Sequence, residues 1–320
     1  MVPHQAVTEP LALTVVAPTY RRPDRLRRLV AALEQQDLPV DRWEAVIVDD
    51  ASGDETHQLL DELAAQSPIQ LRAVHLAENG GPARARNEGA QQARALVVAF
   101  VDDDCVPEPG WAAAMLAAFE RNPRLGVVQG LVRRAPGEMG PWTMFREITW
   151  ESPWFEGCNI AYDRERLLAT GGFDEAIRWY GEDASAGWKV VDAGGERDFE
   201  PNAVVAHDLE ERGLRWRVRH AWLERNLVTL AARHEGLRRS AFWRPWAFRR
   251  ESVAFPVAVA GVLAAAVARR PALAALAVPY VVVRRLPLGK PSVAAGMVCI
   301  DAAQLAGHVA GSIENGVVVL

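Results

Sequence analysis

A chain of 320 residues with 50% hydrophobic and 24% charged content can build one substantial core and carry a smaller appended module, which excludes a disordered polypeptide. Its three cysteines, Cys105, Cys158 and Cys299, have neither disulfide-framework nor metal-ligand spacing, which predicts a reducing compartment and argues against structural zinc. The net charge of -5 hides a division: acids dominate up to about Glu210, whereas arginines crowd residues 212–250.

The start of the chain lacks the basic, apolar pattern of a signal peptide, so cytoplasmic residence is expected. The first half reads as alternating strands and helices. Residues 13–17 form an apolar strand, Pro23 suits a first helical turn, and Leu26, Leu29, Val30 and Leu33 recur at helical spacing. A second strand at 45–48 ends in Asp49 and Asp50, and Ser52 with Glu55 has capping-box spacing ahead of the next helix. A third strand lies near 69–75, a turn at 79–81 leads into a helix from Pro82, and a fully apolar strand at 95–101 stops at Asp102, Asp103 and Asp104. This alternation predicts a mostly parallel sheet with helices on both faces and ligands at the carboxyl ends of its strands.

Three adjacent carboxylates repel one another unless a cation compensates. In an extended backbone Asp102 and Asp104 point to one side and Asp103 to the other, forming a D-x-D pair suited to a hard ion such as Mn2+ or Mg2+. Solvated loop acids or a helix cap are the alternative reading.

The ordered motifs decide between them. Val16-Ala17-Pro18-Thr19-Tyr20, Val48-Asp49-Asp50-Ala51-Ser52-Gly53-Asp54, Asn79-Gly80-Gly81-Pro82, Phe100-Val101-Asp102-Asp103-Asp104, Gly157-Cys158-Asn159, Gly171-Gly172-Phe173-Asp174-Glu175, Gly181-Glu182-Asp183 and His207 occur in that sequence. Together they resemble glycosyltransferase family 2, bacterial membrane-associated type, over roughly residues 11–234. The resemblance implies an α/β GT-A fold, Rossmann-like, and an inverting enzyme that moves a sugar from a nucleotide-diphosphate donor. It places Pro18, Thr19 and Tyr20 at the nucleoside, with Asp50 accepting from the base, which favours a UDP- or dTDP-sugar. Asp49 is then the structural member of its pair. Arg86 is assigned to the diphosphate, with Arg84 as a rival, and Asp102 and Asp103 to the donor. Asp102, Asp104 and His207 are the implied metal ligands.

An inverting transfer needs one carboxylate near the acceptor hydroxyl, and the resemblance gives that role to Asp183. Glu182 beside it is the second catalytic candidate, and it also suits the positive end of a helix dipole. Trp142, Trp150, Trp154, Trp179 and Tyr180 border the implied acceptor side, where sugars stack on aromatic rings. Asn159 and Asp174 are candidates to hold acceptor or loop geometry.

The domains expected are 1–235 for catalysis, with a donor half at about 11–107 and an acceptor half at about 108–235, and 236–320 for a C-terminal helical region. Apolar runs at 253–268 and 272–283, flanked by arginine pairs, each fall short of a bilayer span. They predict a helical hairpin lying in one leaflet, and the segment 293–313 reads as amphipathic. Arginine interleaved with Trp216, Trp222, Trp243 and Trp246 suits anionic membrane lipid better than nucleic acid, so no nucleic-acid partner is expected. The acceptor is then a glycan or glycolipid of cell-envelope polysaccharide synthesis, at the cytoplasmic membrane face. The alternatives are a polyprenyl-phosphate sugar synthase or a non-catalytic nucleotide-sugar-binding scaffold.

Overall fold

A computed structural model describes residues 11–177 and 180–320; the readings of the first ten residues and of Trp179 lie outside the described residues. The chain divides into two compact units. One holds residues 11–137 and Phe145–Leu209, the other Glu138–Met144 and Glu210–Leu320.

The first unit begins β1 (Leu13–Thr19), α1 (Pro23–Leu33), β2 (Trp43–Asp49), α2 (Glu55–Gln66), β3 (Leu71–His75), α3 (Pro82–Gln92) and β4 (Val97–Val101). It continues β5 (Cys105–Pro107), α4 (Trp111–Arg121) and β6 (Leu125–Arg134). After β7 (Thr143–Met144), which belongs to the second unit, come β8 (Asn159–Asp163), α5 (Arg164–Ala169), α6 (Glu182–Asp192) and β9 (Glu196–His207).

The eight-stranded sheet runs β3-β2-β1-β4-β8-β6-β9-β5. From β3 to β4 every pairing is parallel, as the β-α-β pattern requires, whereas β8 pairs antiparallel with both β4 and β6. The sheet is therefore parallel in its first half and mixed in its second. Strand order reverses beside β1, so the ends of β1 and β4 form the crevice where an open α/β sheet receives ligand.

Helix α1 starts at Pro23 and buries Leu26, Leu29, Val30 and Leu33, the residues that carried its periodicity. Helix α2 departs from expectation in its cap. Asp54, not Ser52, accepts from the first turn, through the Thr56 amide at 3.0 Å. Ser52 is drawn away by Asp49, whose Oδ1 accepts from the Ser52 amide at 3.0 Å and from its hydroxyl. Helix α3 lies close on the sheet because it offers small residues there. A Cβ at Gly89 would stand 2.3 Å from Val16 Cγ1, inside van der Waals contact.

The second unit pairs β7 with β10 (Glu210–Glu211). Helices α7 (Gly213–Ala221), α8 (Arg225–Arg233) and α9 (Glu235–Ala241) follow, then α10 (Arg250–Val267), α11 (Val278–Arg284) and α12 (Pro291–Asn315). A 3₁₀ segment at Pro271–Ala277 folds back on α10, where Gly261 faces Leu276 and the Leu273 carbonyl. This is the hairpin that the two apolar runs predict.

Among the described residues two helices are nevertheless long and apolar enough to cross a membrane, α10 with 18 residues and α12 with 25, or about 27 and 37 Å of helix. Helix α10 exceeds the run read from sequence because Arg250, Glu251 and Ser252 open it, and α12 extends the segment 293–313 by Pro291, Ser292, Glu314 and Asn315. Helix α12 is also turned inside out. Asp301 and His308 are buried, while Val309 and Ile313 are exposed. Asp301 accepts from the Tyr280 hydroxyl at 2.7 Å and Arg284 Nε at 2.8 Å, and His308 Nε2 meets Glu224 at 3.2 Å.

Candidate active site

Thr19 and Asp103 join the ends of β1 and β4, the hydroxyl donating to Asp103 Oδ2 at 2.9 Å. The backbone after Val101 is a turn and not an extended segment, closed by the Cys105 amide on the Asp102 carbonyl at 3.1 Å. The strict alternation assumed for a D-x-D pair therefore fails: Asp102 turns to Arg86, while Asp103 and Asp104 share Arg22.

Asp102 Oδ1 accepts from Arg86 at 2.7 Å. Asp103 is buried and accepts from Arg22 at 2.7 Å. Burial pushes its carboxyl up to about 6, with Arg22 opposing and the Asp104 charge adding. Asp104 meets Arg22 at 3.2 Å and Arg25 at 3.4 Å. Arg25 also reaches Asp208 at 3.3 Å, and Arg28 pairs with the same carboxylate. The sequence reading did not single out these arginines. Their spacing at 22, 25 and 28 along α1 was the available signal, since i and i+3 share a helix face.

His207 comes to Asp104 through pairing that no local pattern reveals. Strand β5 is antiparallel to β9 with Cys105 opposite His207, and the Asp208 amide donates to the Asp104 carbonyl at 2.9 Å. His207 Nδ1 lies 2.7 Å from the Asp208 carbonyl, which can only accept, so Nδ1 carries the proton. Nε2 faces Asp104 Oδ1, 3.8 Å away. A divalent cation fits between an imidazole nitrogen and a carboxylate oxygen at that separation, with Nδ1 hydrogen-bonded to a carbonyl as in a metal-bound histidine. Ligand-type atoms of Asp104, Cys105 and His207 lie within 4.8 Å of one another. Burial, reinforced by Cys158, pushes the Cys105 thiol well up. Asp102 is not in that group and is held by Arg86 instead.

Arg86 is the centre of the buried polar network. Only 4% exposed, it donates to Asp102 at the end of β4 and, at 3.2 Å, to Glu182 at the start of α6. Burial disfavours its charge, but Asp102 and Glu182 more than offset this, and its pKa is raised. Its guanidinium lies over the Phe173 ring at 5.5 Å. On another side it rests on Gly157, where a Cβ would come within 2.9 Å of Cζ.

Asp183 follows Glu182 in the first turn of α6. Its Oδ2 accepts from the Gly157 amide at 3.1 Å. Part of its surface reaches solvent, yet protein surrounds the carboxyl, and this burial, with the Glu182 charge, pushes it up to about 7 against the pull of Arg86. The approach is strained. Tyr180 has φ +72°, which a residue with a side chain seldom adopts, and Gly181 has φ +116°.

Asp50 clamps the turn at 79–81 with both oxygens. Oδ1 accepts from the Gly80 amide at 2.8 Å, and Oδ2 accepts from the Gly81 amide at 2.8 Å and Asn79 Nδ2 at 2.9 Å. A carboxylate has about four lone-pair directions, and these three bonds take up one on Oδ1 and two on Oδ2. Tyr20 is exposed, and the following Arg21 amide anchors its loop on Ser52 Oγ at 2.9 Å; Pro18 sits at the register position of Val48 on β2.

Asn159 is structural. It accepts from Trp111 Nε1 at 2.8 Å and donates to the Leu131 and Ala203 carbonyls. Asp174 accepts from the Ala176 amide at 3.1 Å in its own loop. Trp150 is 66% exposed and Trp154 half-buried, whereas Trp142 belongs to the second unit.

A family model described as glycosyl transferase family 2 matches residues 14–177. The chain is 29% identical over 237 residues to the pre-mycofactocin glycosyltransferase of Mycobacterium tuberculosis, covering 69% of this chain and 48% of that protein. It is 32% identical over 139 residues to the poly(ribitol-phosphate) beta-N-acetylglucosaminyltransferase TarS of Staphylococcus aureus, covering 43% and 24%. The chain thus spans about half the length, or less, of these relatives. Among solved structures it is similar to the mannosyltransferase PcManGT from Pyrobaculum calidifontis in complex with GDP-Man and Mn2+, with TM-score 0.70 and 25% identity over 96% of this chain and 88% of that one.

Proposed function

Because the chain belongs to glycosyl transferase family 2, we propose that it is a metal-dependent, inverting glycosyltransferase, which moves a sugar from a nucleotide-diphosphate donor to an acceptor hydroxyl. The observation that carries this reading is Arg86. One buried cation ties the acids at the end of β4 to the opening turn of α6, so donor acids and base share one edge of the sheet.

Asp183 is the base. Its carboxylate takes the proton of the acceptor hydroxyl as that oxygen attacks the anomeric carbon, and no second nucleophile is needed. Glu182 holds Arg86 in place. Asp104 and His207 would hold Mn2+ or Mg2+, and a divalent ion there neutralises charge on the departing diphosphate. Thr19 and Asp103 lock the strand ends that carry the nucleoside loop, and Asp50 stiffens the turn at 79–81 while offering one lone pair to uracil or thymine.

The test is a thermal-shift screen of the full chain against nucleotide sugars with Mn2+. A UDP- or dTDP-sugar is expected to raise the melting temperature by mass action. Chelation should abolish the shift and the turnover of that donor, and Mn2+ should restore both. The solved relative binds GDP-Man, so a shift with GDP-sugars alone overturns the base assignment. No shift and no turnover with any nucleotide sugar overturns the enzyme reading itself.

The acceptor is read as a glycan or glycolipid at the cytoplasmic face of a membrane. Support comes from the second unit, where Val259, Val262 and Leu263 on α10 and Val309 and Ile313 on α12 are exposed. The full chain should co-float with vesicles rich in anionic phospholipid. Replacing Val262 and Leu263 together by aspartate should cut the bound fraction at least about tenfold; unchanged flotation would show that these helices meet protein instead.

A further inference from the structure

On the other side of β2 from the β4 acids, three side chains from separate elements converge. Asp49 closes β2, His57 lies in the first turn of α2 and His75 closes β3. Asp49 Oδ2 stands 3.2 Å from His57 Nδ1 and 3.3 Å from His75 Nδ1. One ligand-type atom from each lies within 4.8 Å of the other two. Bonds of about 2.0–2.1 Å to a tetrahedral zinc ion put neighbouring donor atoms about 3.3 Å apart, and both Asp49 distances match.

The surrounding contacts are those such an ion requires. Ser52 fixes Asp49 Oδ1, which leaves Oδ2 aimed at the histidines. His75 Nε2 lies 3.0 Å from Asp61 Oδ1, and a metal-bound imidazole donates its second N–H to a carboxylate in this way. His75 thus faces a carboxylate oxygen at both nitrogens, Asp49 at Nδ1 and Asp61 at Nε2, with the His57 ring centroid 3.8 Å from its own. A divalent ion between them would take a donor from each of the three side chains.

We propose that Asp49, His57 and His75 bind a zinc-class divalent ion, with Asp61 orienting His75, at a site separate from Asp104 and His207. The ion is structural. It ties β2, α2 and β3 together directly behind Asp50, and no bond in the transfer reaction is routed through it. The argument against structural zinc from cysteine spacing does not reach it, because its donors are imidazole and carboxylate.

The test uses the full chain, freed of metal by chelation and carrying Asp104→Ala and His207→Ala so that those groups do not compete. Titrated with Zn2+ alone it should take up one equivalent, and with Co2+ it should show the strong visible absorption of a tetrahedral site. Adding His57→Ala, a half-exposed helical position, should remove that absorption and weaken Zn2+ binding at least about tenfold, with Asp61→Asn weakening it less. Circular dichroism checks that each variant is folded, and His75→Ala is the second variant. Absence of stoichiometric Zn2+ uptake, or uptake unchanged by either histidine substitution, overturns the proposal and leaves a hydrogen-bonded cluster of side chains.

Discussion

Asp183→Asn should lower the transfer rate by about 100- to 10,000-fold, the usual contribution of a positioned general base, while donor binding in the presence of Mn2+ stays within about twofold. Asparagine keeps the size of the side chain and can still accept from the Gly157 amide, so the loss reports on proton removal and not on loop collapse. The pH profile adds a second readout. Burial first, and the Glu182 charge next, raise the Asp183 carboxyl to about 7. Only the ionised form accepts a proton, so kcat/KM should rise with pH through about 7 and fall on the acid side. A rate insensitive to this substitution would instead support transfer to a lipid phosphate, a nucleophile with no proton to lose.

Arg86→Met should be nearly as damaging, through a different route. The buried guanidinium meets Asp102 at 2.7 Å and Glu182 at 3.2 Å. Removing it strands two carboxylates with Asp183 close by, and breaking a buried pair from one side costs about 3–5 kcal/mol. Denaturant titration should show that loss. Arg86 also holds the Asp183 pKa down, so the acid limb of the variant's pH profile should move upward. Arg86→Lys should recover part of the stability, because an ammonium keeps the charge but cannot span both carboxylates with one planar fork. A variant of unchanged stability and unchanged pH profile would remove Arg86 from the centre of the site.

The parallel half of the sheet was legible because β1, β2 and β4 are short apolar runs that end at Pro or Asp, and α1 shows its buried stripe in sequence. The antiparallel insertion of β8 between β4 and β6 was not, since strand pairing across about 60 residues leaves no local periodicity. The same reason hid how His207 reaches Asp104. The motif order located the acids correctly on one sheet edge, but it could not foresee that Asp102 to Cys105 closes a turn and sends Asp102 to Arg86. Helix α12 read as amphipathic from Asp301, Gln304 and His308, but it is apolar along most of its length, with exposed Val298, Val309 and Ile313. Which way its polar face turns depended on Glu224, Tyr280 and Arg284, supplied by other helices.

The two margins of the eight-stranded sheet are unequal in length but alike in what they deny a neighbour. On one side stands β5, three residues long and closed by Pro107; on the other β3, five residues carrying Arg72 and His75. A brief strand ending in an imino acid, and one lined with basic side chains, are poor templates for a passing chain. Self-association of this protein at high concentration should therefore leave its strand content unchanged, with clumping driven by bare aliphatic helix surface and not by growth of the sheet.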